Sequence, residues 1–584
     1  MKRIPAGTIP KQNNYGDSYG DFIESFNIDL TANYGAFRTT RTKLVTSSLT
    51  VPQIDRVVGF AFYNGSYYGV TEDVVLKADT YPSDSFAVDT SSNAPSVQLK
   101  ALYSDIEVFN NAMYVSGSDE IFKLSGSTWS TPVTTQLTGL QPHLLKAYGL
   151  GDNARLYVTD DYYKVHSVSS ADAISATGSY TLDLKLNNEW VITMLESGDN
   201  ALWIGLLNEE TGAGLIAEWD GVTENVVNRY FELDNGIVAG IVLDNVPYAI
   251  DTRGRLLRYN GTSFEEIDRF NLRRKYLMSG ADNIANNRFI HPNGVCVTDY
   301  GSILIAFNNS LSGSSSLFEE SCPSGIYEYH PFTGLNHKYS ISTSPVGATT
   351  YTDYGMSIIG SSTFIDSVFF RRPVTSSATS NGTLLIGAEY ETKNGTTNFA
   401  IFCDDSLDTT YKMGYIKTAW QWSDFVEDIW QKIYPIYRKF KNETDKIVVK
   451  YRTIEENSIT VTCTWIDTYN FVTTNDISDF ATGDEVTVLN GTGAGQVMII
   501  TNISATLNTY QVTVDTNEFS ITTPFVGRFE NFKVLPTVDN NAEYAGLTIP
   551  NGTNPSIQFK VYLYFTGEQE LHKLHIVNKN NIKE

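Results

Sequence analysis

A short motif returns along the first two thirds of this 584-residue chain at a nearly constant interval, and that interval limits the fold more than any composition figure. It reads as a turn with Asn or Gly followed by an apolar or aromatic strand. The copies are Asn64-Gly-Ser-Tyr-Tyr-Gly-Val, Asn111-Ala-Met-Tyr-Val, Asn153-Ala-Arg-Leu-Tyr-Val, Asn200-Ala-Leu-Trp-Ile, Asn245-Val-Pro-Tyr-Ala-Ile and Gly301-Ser-Ile-Leu-Ile. Successive copies start 47, 42, 47, 45 and 56 residues apart. A second strand ending in a turn follows several copies, as in Ile121-Phe-Lys-Leu-Ser-Gly126, Ile216-Ala-Glu-Trp-Asp-Gly221 and Leu256-Leu-Arg-Tyr-Asn-Gly261. Asn-Gly and Asp-Gly supply the positive φ that tight strand connections need. A period of about 40–50 residues with several strands per unit predicts a β-propeller.

The expected fold is therefore all-β, with about seven blades across residues 31–412 behind an N-terminal arm, 1–30. A further strand pair begins at Gly382-Thr-Leu-Leu-Ile, after an irregular stretch that holds Met356-Ser-Ile-Ile359. Closure of the ring is expected from a strand outside the repeat order, Ala36-Phe-Arg-Thr-Thr-Arg-Thr-Lys-Leu-Val45. The competing arrangement is a set of unrelated hairpins in two stacked sandwiches; the regular period argues against it. Composition agrees with many short strands: 35 Tyr and 30 Phe stand among Gly-, Ser-, Thr- and Asn-rich connections.

From Trp420 the texture changes. Ile433–Phe440 and Lys446–Arg452 alternate in side-chain character around Lys441-Asn-Glu-Thr-Asp445, which predicts a hairpin with Pro435 at an edge or bulge. Ser556–Phe565 and Glu570–Val577 are matching strands. Residues 413–460 and 531–584 are read as a discontinuous β-sandwich, and 461–530 as an inserted small SH3-like barrel. Within the insert, Gly491-Thr492-Gly493-Ala494-Gly495 has the look of a phosphate cradle. A cradle needs a helix after the glycines and, in a P-loop, a Gly-Lys-Ser/Thr ending. Gln496–Ile503 is short and β-branched instead, so the glycines read as a hairpin tip and a candidate docking point.

Charge and motifs narrow the function. Lys plus Arg number 42 against 66 Asp plus Glu, a net charge of −24 that repels nucleic acid. The start, Met1-Lys-Arg-Ile-Pro, lacks the apolar region of a secretory signal, and no apolar run reaches about 18 residues. Cys296, Cys322, Cys403 and Cys463 are too dispersed for a disulfide framework, so a reducing compartment is expected. Sequons such as Asn64-Gly-Ser and Asn260-Gly-Thr then act as turns. His291, Cys296, Cys322 and His330 make the best metal set, but their spacing matches no zinc pattern, and no metal or other cofactor is expected. The acid pairs Asp160-Asp161, Glu319-Glu320 and Asp404-Asp405 are neighbours on the chain, and strand neighbours face opposite ways. The Asp-box of sialidases is missing: Ser125-Gly-Ser-Thr-Trp129 lacks its Asp and spacing. Tyr67, Tyr68, Tyr162 and Tyr163 fit blade packing better than sugar stacking. No catalytic constellation emerges, and the chain is expected not to be an enzyme.

A polar arm, then Ser25-Phe-Asn-Ile-Asp-Leu-Thr-Ala-Asn33, a propeller, and a C-terminal β-domain with Gly483-Asp-Glu-Val and Gly491–Gln496 resemble tailed-bacteriophage tail proteins, nearest the tail nozzle (tail tubular protein B-like) kind. The resemblance implies a virion protein assembled in the host cytoplasm. It implies a homo-oligomeric ring, commonly a hexamer, that contacts adaptor or neck and other tail proteins. DNA would pass through such a ring during ejection without specific binding, and no membrane insertion by this chain is implied. A host-glycan-binding tail propeller and a polysaccharide-cleaving propeller enzyme are the alternatives.

Overall fold

A computed structural model describes most of residues 22–30, 36–46, 57–95, 105–134, 143–169, 181–270, 290–307, 325–339, 365–371, 383–403, 414–453, 458–539, 546–565 and 569–578. The chain is all-β. Among the described residues, seven antiparallel sheets follow one another along 57–403, six of four strands and one, at 106–134, of five. The first four strands of each of the first six run in simple up-and-down order, the fifth strand of the second sheet, Val133–Thr134, pairing back on Glu120–Ser125, and each repeat motif supplies a second strand, such as Ser66–Thr71, Ala112–Ser116 and Val246–Asp251. The turns before these strands explain the Asn and Gly signal. Asn64 and Gly65, Asn110 and Asn111, and Asp244 and Asn245 all have positive φ, the backbone of the tight hairpin turn whose twist matches the strands.

The first strands of the sheets are Val57–Tyr63, Ile106–Phe109, Leu145–Tyr148, Trp190–Ser197, Ile237–Leu243, Val295–Val297 and Ile365–Arg371, and each contacts the next. Ile365–Arg371 also contacts Val57–Tyr63, so the last of these strands lies against the first. Between sheets the packing is apolar: Met113, Phe122 and Trp129 meet Val58 and Val70, and Trp219 meets Tyr157, edge to face at 5.6 Å. The seventh sheet takes its outer strand from the other end of the chain. Lys43–Thr46 pairs with Thr397–Cys403, through Thr46 with Ile401 and Leu44 with Phe402. Met356–Ile359 lies outside the described residues.

Two facing sheets follow. One has the order Phe22–Phe26, Gly414–Thr418, Ser556–Tyr564, Lys446–Thr453, Lys533–Val534; the other is Leu547–Thr548, Trp430–Tyr437, Leu571–Asn578. Their shared core holds Ile433, Ile447, Val449, Phe559, Val561, Leu574 and Ile576, with Ile28 and Phe37 from the N-terminal region. The predicted hairpin between Ile433–Phe440 and Lys446–Arg452 does not form. The two strands lie in opposite sheets, pairing with Leu571–Asn578 and Ser556–Tyr564 respectively. Both direct apolar residues into the same core from opposite sides, so the chain crosses over at the turn where Asp445 N–H donates to Asn442 C=O. Among the described residues Pro435 pairs on one side only, against Leu574, which spares a missing N–H. Residues 22–30, read from sequence as part of an arm, supply the strand Phe22–Phe26 of the larger sheet.

The insert is a closed six-stranded barrel, in the order Ser458–Trp465, Asn470–Thr473, Thr509–Val514, Val497–Thr506, Glu485–Val488, Pro524–Glu530. It begins three residues before the expected boundary, and its first and last residues, Ser458 and Glu530, are register partners. Trp465, Phe471, Phe525 and Phe529 fill its interior. Among the described residues no helix is long and apolar enough to cross a membrane.

Candidate functional site

Two charge clusters stand out, a buried one between barrel and sandwich and a half-buried one lining a cavity among strands of the first six sheets. The first begins from strand alternation. In Ser556–Tyr564 the residues Ile557, Phe559, Val561 and Leu563 point into the sandwich core, which leaves Gln558, Lys560 and Tyr562 on the other face. The register sets Lys560 opposite both Lys417 and Lys450, so three lysines stand abreast on neighbouring strands. Like charges directly opposite repel. Two barrel carboxylates separate them. Glu485 pairs with Lys450 and, at 3.0 Å, with Lys560, and accepts the Tyr562 hydroxyl at 2.7 Å. Glu530 pairs with Lys417, with Arg528 at 3.3 Å and with Lys560 at 3.4 Å. Arg452 lies 3.8 Å from Glu530 and donates from Nε to the Gln558 side-chain Oε1 at 2.8 Å.

Every one of these groups is buried. Burial alone would raise the two carboxyl pKa values, but the facing cations outweigh it. Lys450 and Lys560 bring Glu485 down to about 2, and Arg528, Lys417 and Lys560 hold Glu530 well below the usual range. The Tyr562 hydroxyl is pushed well up, by burial first and then by Glu485. A buried cluster of this kind is costly to break, because removing one partner leaves a buried charge unmatched.

The second cluster lines a cavity of about 290 Å³ among the first strands of the sheets. Asp105, Glu107, Lys146 and Glu196 face it, beside Thr193, Asn293 and Cys296. Lys146 Nζ pairs with Glu196 at 2.7 Å. Asp105 accepts the backbone N–H groups of Leu145 and Ile106, each at 2.7 Å. Burial pushes Asp105 up to about 6, against those two hydrogen bonds. It pushes Glu107 up to about 7, opposed by Lys146 and reinforced by Asp105 and Glu196. Lys146 ends above its ordinary value, because Glu196 and Glu107 outweigh its desolvation. Both raised carboxyls keep some surface open to the cavity. The arrangement can hold a proton near neutral pH. Close approach of the strands is bought with glycine: a Cβ on Gly240 would stand 2.3 Å from Met194 Sδ and 2.6 Å from Tyr248 C=O.

Of the residues singled out in the sequence, Gly491–Gly495 lie outside the described residues. The strands they join, Glu485–Val488 and Val497–Thr506, pair antiparallel through Glu485 with Ile499 and Thr487 with Val497, so a strand and no helix follows the glycines. His291 Nδ1 accepts the Asn293 N–H at 3.2 Å as a cap of the short helical turn Pro292–Gly294. Cys296 is half-buried beside the cavity, and His330 Nδ1 accepts the Phe332 N–H at 3.2 Å. Burial lowers the His330 pKa, with Glu328 opposing. Cys322 lies outside the described residues. Among those described, no three His, Cys, Asp or Glu side chains are placed to hold a metal ion together. Asp160 is buried with His166 Nε2 at 3.4 Å, while Asp161 sits in the turn and pairs with Lys164 at 2.7 Å. Glu319, Glu320, Asp404 and Asp405 are outside the described set. Tyr67 and Tyr68 are buried in inter-sheet packing, and Tyr162 and Tyr163 are half-buried. Neither charge cluster was anticipated; the only sequence signal was the odd lysine inside otherwise apolar strands.

No protein-family model matches the chain, and no curated protein matches it. Solved structures match at low similarity. The crystal structure of BBS1N in complex with ARL6DN, soaked with lead, is 11% identical, with a TM-score of 0.37, over 63% of this chain and 98% of that one. YCF48 from Cyanidioschyzon merolae is 9% identical, with a TM-score of 0.37, over 62% and 98%. The Myceliophteria thermophila Cps50 (Swd1) beta-propeller domain is 6% identical, with a TM-score of 0.36, over 62% and 100%.

Proposed function

We propose that the seven sheets are the blades of a closed propeller, shut by Lys43–Thr46, and that the chain is a non-enzymatic structural subunit of a bacteriophage tail. In this reading several copies form a nozzle-like ring around the DNA exit path and contact adaptor or neck proteins. The observation that carries the structural role is the joint between barrel and sandwich. Glu485 and Glu530 reach from the barrel into a row of three sandwich lysines and pair with all three. A subunit that transmits force between neighbours needs its domains held at fixed angles. Phe22–Phe26 adds a second tie, pairing in the sandwich sheet while Ser25 Oγ and Asn27 N–H bond to His337 of the sixth sheet.

The net charge of −24 supports passage of DNA, since such a surface releases no counterions on contact with phosphate. The tail context itself rests on the sequence resemblance. Light scattering at micromolar concentration, for the chain alone and mixed with the neck protein of the same particle, tests it. A stable complex of several copies is expected, and a strict monomer that never joins the neck protein would overturn it. One observation favours a polysaccharide-cleaving enzyme: raised carboxyls in a cavity suit acid–base chemistry. Reducing ends released by the intact chain and abolished by Glu107→Gln would support that second reading.

A further inference from the structure

The longest charge-free run in the chain spans Val486 to Val514, 29 residues without Asp, Glu, Lys, Arg or His, where an 18% charged composition would give about five charges. Part of that run leaves the barrel. Val497–Ile499 pairs with Glu485–Thr487 and Ile500 still exchanges backbone hydrogen bonds with Gly483 and Asp484, but from Asn502 onward the strand pairs only with Thr509–Val514 among the described residues. A register shift between Ile500 and Asn502 marks the departure. Thr501, Asn502, Ser504, Ala505 and Thr506 are exposed. On the side away from Thr509–Val514, no described strand pairs with residues 502–506.

Natural sheets protect such an edge with lysine, proline or an inward charge. This one carries none, and Thr501, Ile503 and Thr506 are good strand formers. Its open N–H and C=O groups are a template for one more strand. Two chains of charge −24 repel wherever charged surfaces meet, so a neutral edge is where a like-charged chain approaches at least cost. We propose that residues 502–506 form an assembly edge that pairs, strand to strand, with a second copy of this chain. The inference rests on the homo-oligomeric reading above and names the surface that makes it.

The test uses the full chain. Ser504→Lys with Thr506→Lys places two like charges on the exposed edge, and Thr462→Lys with Thr464→Lys places the same charge on exposed positions of another barrel strand. Mass photometry across a concentration series, with melting temperature as the folding check, reads the outcome. The concentration for half-assembly should rise at least tenfold for the edge variant and change less than twofold for the control, with melting unchanged in both. Thr506→Cys under mild oxidation should also give a covalent dimer faster than Thr462→Cys. Assembly equal to wild type in the edge variant, together with no preferential crosslink, overturns this inference while leaving the ring intact. A wild-type chain that stays monomeric at every concentration overturns both.

Discussion

Glu107 is a carboxylic acid whose chemistry departs from that of its exposed counterpart. Its carboxyl lies among Asp105, Glu196 and Lys146 in the cavity, and burial holds a proton on it up to about pH 7. An acid whose pKa rises on folding binds more protons folded than unfolded, so stability falls as pH rises from the ordinary glutamate range to about 7. Glu107→Gln removes that loss. The variant should match wild type near pH 5 and exceed it at pH 8 by roughly 1–3 kcal/mol, read from urea unfolding at the two pH values. Equal stability at pH 8, or a larger gain at pH 5, would contradict the desolvated setting. Glu485 has the opposite sign. Its contribution is complete above the ordinary glutamate value of 4.5 and is lost as pH falls through about 2.

The barrel and the sandwich are the elements whose coupling can be taken apart. Glu530→Ala leaves Lys417, Arg452 and Arg528 buried without their carboxylate and should cost about 3–5 kcal/mol at pH 7. Replacing residues 458–530 with a short Gly/Ser linker should do less harm per residue removed. Ser458 and Glu530 are paired, so the gap is short, and the lysine row then meets water instead of an empty site. Denaturant unfolding of both proteins checks this. An unfolded deletion product, or a Glu530→Ala protein as stable as wild type, would contradict the joint as described. Much of this level was legible in sequence. Asn64-Gly65 and Asp244-Asn245 announce hairpins because positive φ is a local demand. The barrel was legible from alternation in Val486 and Val488 and from its compact span. The lysine row was not, since Lys417, Lys450 and Lys560 become neighbours only through register between distant segments. The crossover between Trp430–Tyr437 and Lys446–Thr453 was hidden for a related reason: a short connection and matching alternation suit a hairpin and a sheet-to-sheet crossing equally.

At the scale of the whole molecule the chain is tied end to end. Lys43–Thr46 completes the seventh sheet, Phe22–Phe26 completes the larger sandwich sheet, and Arg38 pairs with Glu570 near the other terminus. The central cavity could not be read from sequence, because its four charged residues come from three sheets and converge only once those sheets stand side by side. On the proposed reading, ties between distant segments, a charged joint and a net charge of −24 would serve a subunit that keeps its shape among neighbours. Negative-stain imaging of the purified full chain at micromolar concentration tests that account most directly. Closed rings of several copies around an open channel are the predicted result, and a field of single particles that stays unchanged on adding the neck protein would contradict it.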